Sequence, residues 1–192
     1  MDCRKVLHVH IPKCAGHSIS AALHAAGMGN NWLRDPRLSH HDSIRRMREL
    51  NTIPHDTFVF SVVRNPYTRV YSLYSFLKKR RCIINSTFQE WVKQVHSTNA
   101  TGYMHLPQVD FLRHEKGHIG VPHIFRFEEL AEVEEIGITL PHMNKSGGVP
   151  TTDDFTEESV GMVASTYSED FDVLGYDHEF SFDLWPAPLD AV

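Results

Sequence analysis

Apolar and polar positions alternate between two kinds of run along the chain. "KVLHVHI" (5–11), "TFVFSVV" (57–63) and "VPHIFRF" (121–127) are short, β-branched and aromatic, and nearly free of charge, so each reads as a strand. The second has no charge at all, as a central parallel strand buried on both faces would. Between them lie stretches with helical spacing: Ser18 to about Ala26, closed by Gly27; "HDSIRRMREL" (41–50), with Asp42 or Ser43 near its cap; and "PYTRVYSLYSFLKKR" (66 onward), where Pro66 suits a first turn. "TFQEWVKQVH" (87–96), the acidic "EELAEVEEIG", a segment near 155–167 and a shorter one near 168–175 continue the series. "NKSGGVPTTDD" (144–154) is the clearest loop. Strands alternating with helices predict an α/β fold, and 192 residues without repeat or linker predict one domain over 1–192. In a parallel sheet of this kind ligands sit beyond the carboxyl ends of strands, which puts two strand-to-helix turns, 12–18 and 64–67, on the functional edge.

Composition narrows the classes. No apolar run approaches the ~20 residues of a membrane helix, and "MDCRKVLHVH" lacks a secretory leader's pattern. Cys3, Cys14 and Cys82 are an odd number without metal-type spacing, so a reducing cytoplasm is expected and neither a disulfide framework nor a zinc site. All 19 Lys and Arg precede residue 151, whereas residues 151–192 carry 11 acids and no Lys or Arg. Positive charge near the two turns favours an anionic ligand, and the acidic end reads as a solvated surface. No basic run is interleaved with aromatics, so no nucleic-acid partner is expected.

The turn "HIPKCAGHSI" (10–19) wraps a helix start, where backbone N–H groups and the helix dipole attract anions. Gly16 permits close approach, Ser18 offers a hydroxyl and Lys13 a mobile charge; the competing reading is a surface turn with an incidental lysine. The turn is not G-x-x-x-x-G-K-[ST], because the lysine comes first and His17 stands in the lysine's place. The second turn, "SVVRNPYTRVYSLY", ends a strand at Arg64 and places Ser72 about a turn and a half into a helix, with Arg69 a further cation. Its competing reading is a capping arginine and a core hydroxyl.

Together these segments resemble the sulfotransferases that use 3′-phosphoadenosine-5′-phosphosulfate (PAPS). "HIPKCAGHSI" is similar to their 5′-phosphosulfate loop, and "RNPYTRVYSLY" to their 3′-phosphate motif R-N-P-x-x-R-x-x-S-x-Y. "HLPQVDFL", "FRFEEL", "LPHMNKS" and "YSEDFDVLGY" resemble, in order, segments of the small carbohydrate O-sulfotransferase branch, so the likeness runs from Val6 to Tyr176. The resemblance implies a P-loop-like three-layer α/β/α sandwich with a central parallel sheet. It implies sulfuryl transfer to a hydroxyl, on a carbohydrate, with adenosine 3′,5′-bisphosphate (PAP) as co-product and no metal. Lys13 then matches the residue on the 5′-phosphate and bridging oxygen. Cys14, Ala15, Gly16, His17 and Ser18 surround that phosphate, Arg64 and Ser72 hold the 3′-phosphate, and Lys145 and Ser146 fall in a closing loop. His17 departs from the usual Thr or Ser.

An acceptor hydroxyl needs a base, for which His is the usual choice at neutral pH, and the chain holds 14 histidines. His41 falls at the family's catalytic position, with His40 one residue away as its rival; His105, with Gln108, matches positions near the acceptor cleft. The lack of a membrane anchor implies a cytoplasmic enzyme of bacterial or viral type. Two alternatives stay open: a non-catalytic sensor of the donor or product, and a P-loop nucleotide or small-molecule kinase. "KKRRC" (78–82) reads either as a polyanion contact or as the solvated end of a helix.

Overall fold

The structure, a computed structural model, describes residues 5–28, 35–82, 85–98, 102–115, 117–141 and 150–185. In chain order it contains β1 (Val6–Val9), α1 (Gly16–Ala25), α2 (Ile44–Glu49), β2 (Phe58–Val63), α3 (Pro66–Lys79), α4 (Phe88–Thr98), α5 (Gln108–Leu112), β3 (His123–Arg126), a 3-10 segment (Phe127–Ile136), α6 (Glu157–Thr166), α7 (Ser168–Leu174) and a 3-10 turn (Phe182–Leu184). These divide into two units, Met1–Arg64 with Leu106–Lys145 and Asn65–His105 with Ser146–Val192.

The first unit holds the sheet, ordered β1-β2-β3 and parallel throughout, so the fold is α/β as expected. Val6 to Val9 pair with Phe58 to Ser61, and Phe60 to Val63 with His123 to Arg126. The uncharged β2 is central, pairing with β1 on one side and β3 on the other, and is buried from Val59 to Val63. Its one hydroxyl, Ser61, is satisfied by donating to the Val9 carbonyl at 2.7 Å. One sheet face carries His8 stacked on Phe60 (4.9 Å between ring centroids) and Phe60 edge-on to Phe125 (5.9 Å). Gly27, at φ 69°, ends α1 as expected: its N–H bonds the His24 carbonyl and that of Met28 the Leu23 carbonyl, which satisfies two carbonyls of the last turn. Ser43 caps α2 by accepting from the Arg46 N–H.

The acidic segment 127–136 is not an α-helix but 3-10, broken at Glu129 (φ −117°, ψ 37°). An α-helix would align Glu128 with Glu132 and Glu132 with Glu135 on one face, and like charges at those spacings oppose it.

The second unit is helical. Asn65 caps α3 by accepting from the Tyr67 N–H at 2.9 Å, with Pro66 in the first turn. α3 packs on α4 and α6, and α4 on α6. Phe88, Phe155, Tyr71, Tyr74 and Trp91 interlock in this core, with Phe88 and Phe155 rings 4.6 Å apart. Thr156 and Ser159 form a reciprocal capping box at the start of α6.

Candidate active site

Beyond the end of β1 the backbone turns through two left-handed residues, Lys13 at φ 70° and Ala15 at φ 59°, before α1 begins at Gly16. Left-handed followed by right-handed backbone curls successive N–H groups into a concavity that suits an anion. Ala15, at the N-cap, has no side chain to accept from the first N–H groups of α1. Holding two non-glycine residues in this region costs roughly 1–2 kcal/mol each, strain of the kind stored at functional sites. Gly16 has a reason that its place in the motif does not reveal. A Cβ there would lie 1.7 Å from Nε2 of His10, whose ring fills the space beneath the turn.

Two cations meet in this unit. The Arg64 guanidinium lies 4.0 Å above the Phe127 ring, and its Nη1 donates to the Lys13 carbonyl at 3.4 Å. Lys13 is half-buried, and burial, then the charge of Arg64, push its ammonium down to about 8. The Arg64 backbone is clamped by Gln108, whose Oε1 accepts from the Arg64 N–H (2.9 Å) and whose Nε2 donates to the Arg64 carbonyl (2.8 Å). The same Oε1 accepts from the Cys14 thiol at 3.3 Å. Gln108 is fully buried, so it acts inside the protein and not as an acceptor contact.

His41 lies in the same unit, its Nδ1 3.0 Å from the His10 carbonyl oxygen. A carbonyl only accepts, so Nδ1 carries the proton and neutral His41 has its lone pair on Nε2, the arrangement a general base needs. His40 is exposed, 6.4 Å from His41 ring to ring. The His41 ring sits 4.3 Å from that of His10, which stacks 5.6 Å from His8 and meets the exposed His17 edge-on at 5.8 Å. Burial above all, then the neighbouring histidines, hold His8 down to about 3 and His10 down to about 2. Both are neutral packing elements at physiological pH. Ser18 is buried in the first turn of α1.

In the second unit Ser72 is buried within α3, six residues after Pro66. Arg69 is not an available cation: it is 2% exposed, pairs with the fully buried Asp170 at 4.0 Å and donates to the Met104 carbonyl at 3.3 Å. Tyr167 donates from its hydroxyl to the His105 carbonyl at 3.0 Å, and the His105 ring lies 5.7 Å from Trp91. Burial, with Arg69 second, lowers the pKa of His105. Three motif segments, "RNPYTR", "YMHLPQ" and "YSEDF", are thus joined by structural bonds. Lys145 and Ser146 lie outside the described residues.

The first unit therefore assembles Lys13, Cys14, Ala15, Gly16, His17, Ser18, Arg64 and His41, and the second holds Ser72 and His105. Among the described residues no cluster of three His, Cys, Asp or Glu could hold a metal, and no helix is long and apolar enough to cross a membrane. His10 and Phe127 are contributors that motif reading missed, and Gln108, expected near the acceptor cleft, instead bonds the Arg64 backbone and the Cys14 thiol. A clue to Gln108 was there: it shares the apolar face of α5 with Val109 and Leu112.

The first unit thus holds a strand-to-helix turn with two left-handed residues, an arginine that donates to the Lys13 carbonyl in that turn, and a histidine whose Nδ1 faces the His10 carbonyl. The family model described as the sulfotransferase family matches residues 2–136, and the chain belongs to that family, whose function is sulfuryl transfer. No curated protein and no solved structure matches the chain.

Proposed function

We propose that the protein, acting as one domain over 1–192, transfers a sulfuryl group from PAPS to a carbohydrate hydroxyl in a reducing cytoplasm. The observation that carries this reading is that one unit holds a turn with left-handed Lys13 and Ala15, an Arg64 that donates to the Lys13 carbonyl, and a His41 whose Nδ1 lies 3.0 Å from the His10 carbonyl oxygen. The turn's amides, with Ser18 and the loop residues Cys14, Ala15, Gly16 and His17, receive the 5′-phosphosulfate. Arg64 takes the 3′-phosphate, and the motif likeness assigns Ser72, Lys145 and Ser146 to the same nucleotide. As the bond from sulfur to the 5′-phosphate oxygen breaks, Lys13 stabilises the charge left on that oxygen. The acceptor oxygen forms the new bond to sulfur and gives its proton to Nε2 of His41, with His105 the second candidate base. PAP and a sulfated sugar leave.

Substituting His41 by Ala tests the assignment. An enzyme of this design keeps PAP affinity within about twofold and loses 10²–10⁴-fold in turnover against a panel of sugar hydroxyls. A variant with unchanged turnover would remove His41 as the base, and wild-type protein that binds PAP but sulfates nothing would favour the sensor reading.

A further inference from the structure

Three hydrogen bonds converge on the side chain of Gln108, which is fully buried on α5 and thus beyond the reach of any substrate. Two clamp both polar groups of one peptide residue, the N–H and carbonyl of Arg64, and the third holds the thiol of Cys14 in the middle of the anion-cupping turn. A side chain on a third element therefore ties the end of β2 to the turn that follows β1. We propose that Gln108 is a positioning residue that sets the spacing between the 5′-phosphate turn and Arg64, and hence the selectivity of the site for a nucleotide phosphorylated at both the 3′ and 5′ positions. The proposal rests on the functional reading above. Neutral glutamine suits the task because its planar carboxamide offers an acceptor to two donors and a donor to one acceptor. A buried arginine backbone that loses both of these bonds would relax towards other partners, taking its guanidinium with it.

The test is the ratio of 5′-AMP to PAP dissociation constants, measured by calorimetry for wild type, Arg64→Ala, Gln108→Ala and Gln108→Glu. Gln108→Ala is expected to cut the ratio at least tenfold, through weaker PAP binding with 5′-AMP binding nearly unchanged. Gln108→Glu preserves volume and carries the test if the alanine variant does not fold. Ionised, it opposes the Arg64 carbonyl with a second acceptor; protonated, it restores both backbone bonds. Its ratio is therefore expected to recover at least fivefold from pH 8 to pH 6, a change that a purely space-filling role would not produce. A wild-type ratio in the Gln108 variants, or equal loss for both nucleotides with no pH recovery, overturns the inference while leaving the functional reading intact. A wild type that does not prefer PAP, or a preference that survives Arg64→Ala, overturns that reading and the inference together.

Discussion

Acidifying the protein from pH 7.0 to 5.5 acts on two imidazoles that cannot accept a proton in the folded state. His8 is 0% and His10 3% exposed, and burial keeps them neutral down to about pH 3 and 2. In the unfolded chain both titrate near 6.5. The unfolded state then binds more protons than the native state below pH 6.5, so stability is full above that value and falls as pH drops towards the folded pKa values. At pH 5.5 an unfolded-state histidine of pKa 6.5 is about 90% protonated, and linkage gives a loss of about 1.3 kcal/mol per residue relative to pH 7.0, or about 2.5 kcal/mol for the pair. The lowered pKa of His105 acts in the same direction. Urea unfolding at pH 7.0, 6.5, 6.0 and 5.5 measures the loss. His8→Phe isolates one contribution, since phenylalanine can keep the stacking on Phe60 and has nothing to titrate. The variant is expected to lose about 1.3 kcal/mol less than wild type over this interval. Identical pH dependence in the two proteins would refute the claim that His8 is held neutral by burial.

Gly16→Ala should place its methyl group inside the His10 ring, destabilise the fold by about 1–3 kcal/mol and abolish PAP binding, and the double variant with His10→Ala should regain part of the stability in thermal unfolding. Ala15→Gly should raise stability by about 1 kcal/mol in the same assay, because glycine adopts the left-handed conformation without penalty. PAP affinity should be steady below pH 8 and fall up to tenfold per pH unit above it, since only protonated Lys13 attracts the anion and its pKa of about 8 rises on binding; a flat profile from pH 7 to 9.5 would exclude Lys13 as a ligand. Asp170→Asn should cost about 3–5 kcal/mol in urea unfolding, the penalty for removing the buried counter-charge of Arg69.

What could be read from the chain beforehand divides along a physical line. Strands β1 and β2, the Asn65-Pro66 start of α3 and the Gly27 end of α1 were legible because each is set by local pattern and backbone chemistry. The 3-10 form of 127–136 was harder, since its apolar spacing fits a helix and only the clustered glutamates oppose one. Contacts between segments distant in sequence were not legible at all. Arg69 looked like a ligand-binding cation because nothing in "RNPYTR" reveals that Asp170 meets it in the core. Gly16 was readable as a required glycine, but for ligand access; that the His10 ring occupies its side-chain space is a tertiary fact. Gln108 matched an acceptor-side position, yet its partners are the backbone of Arg64 and the thiol of Cys14.

The central claim is that the turn at Lys13 and the arginine at the end of β2 form one site for a 3′,5′-bisphosphorylated nucleotide. Calorimetric titration of PAP into the purified protein, with 5′-AMP and ATP as comparators and Arg64→Ala alongside, tests it most directly. The account predicts PAP binding at least tenfold tighter than either comparator, with the preference lost in Arg64→Ala. Equal binding of all three nucleotides, or none, would contradict it.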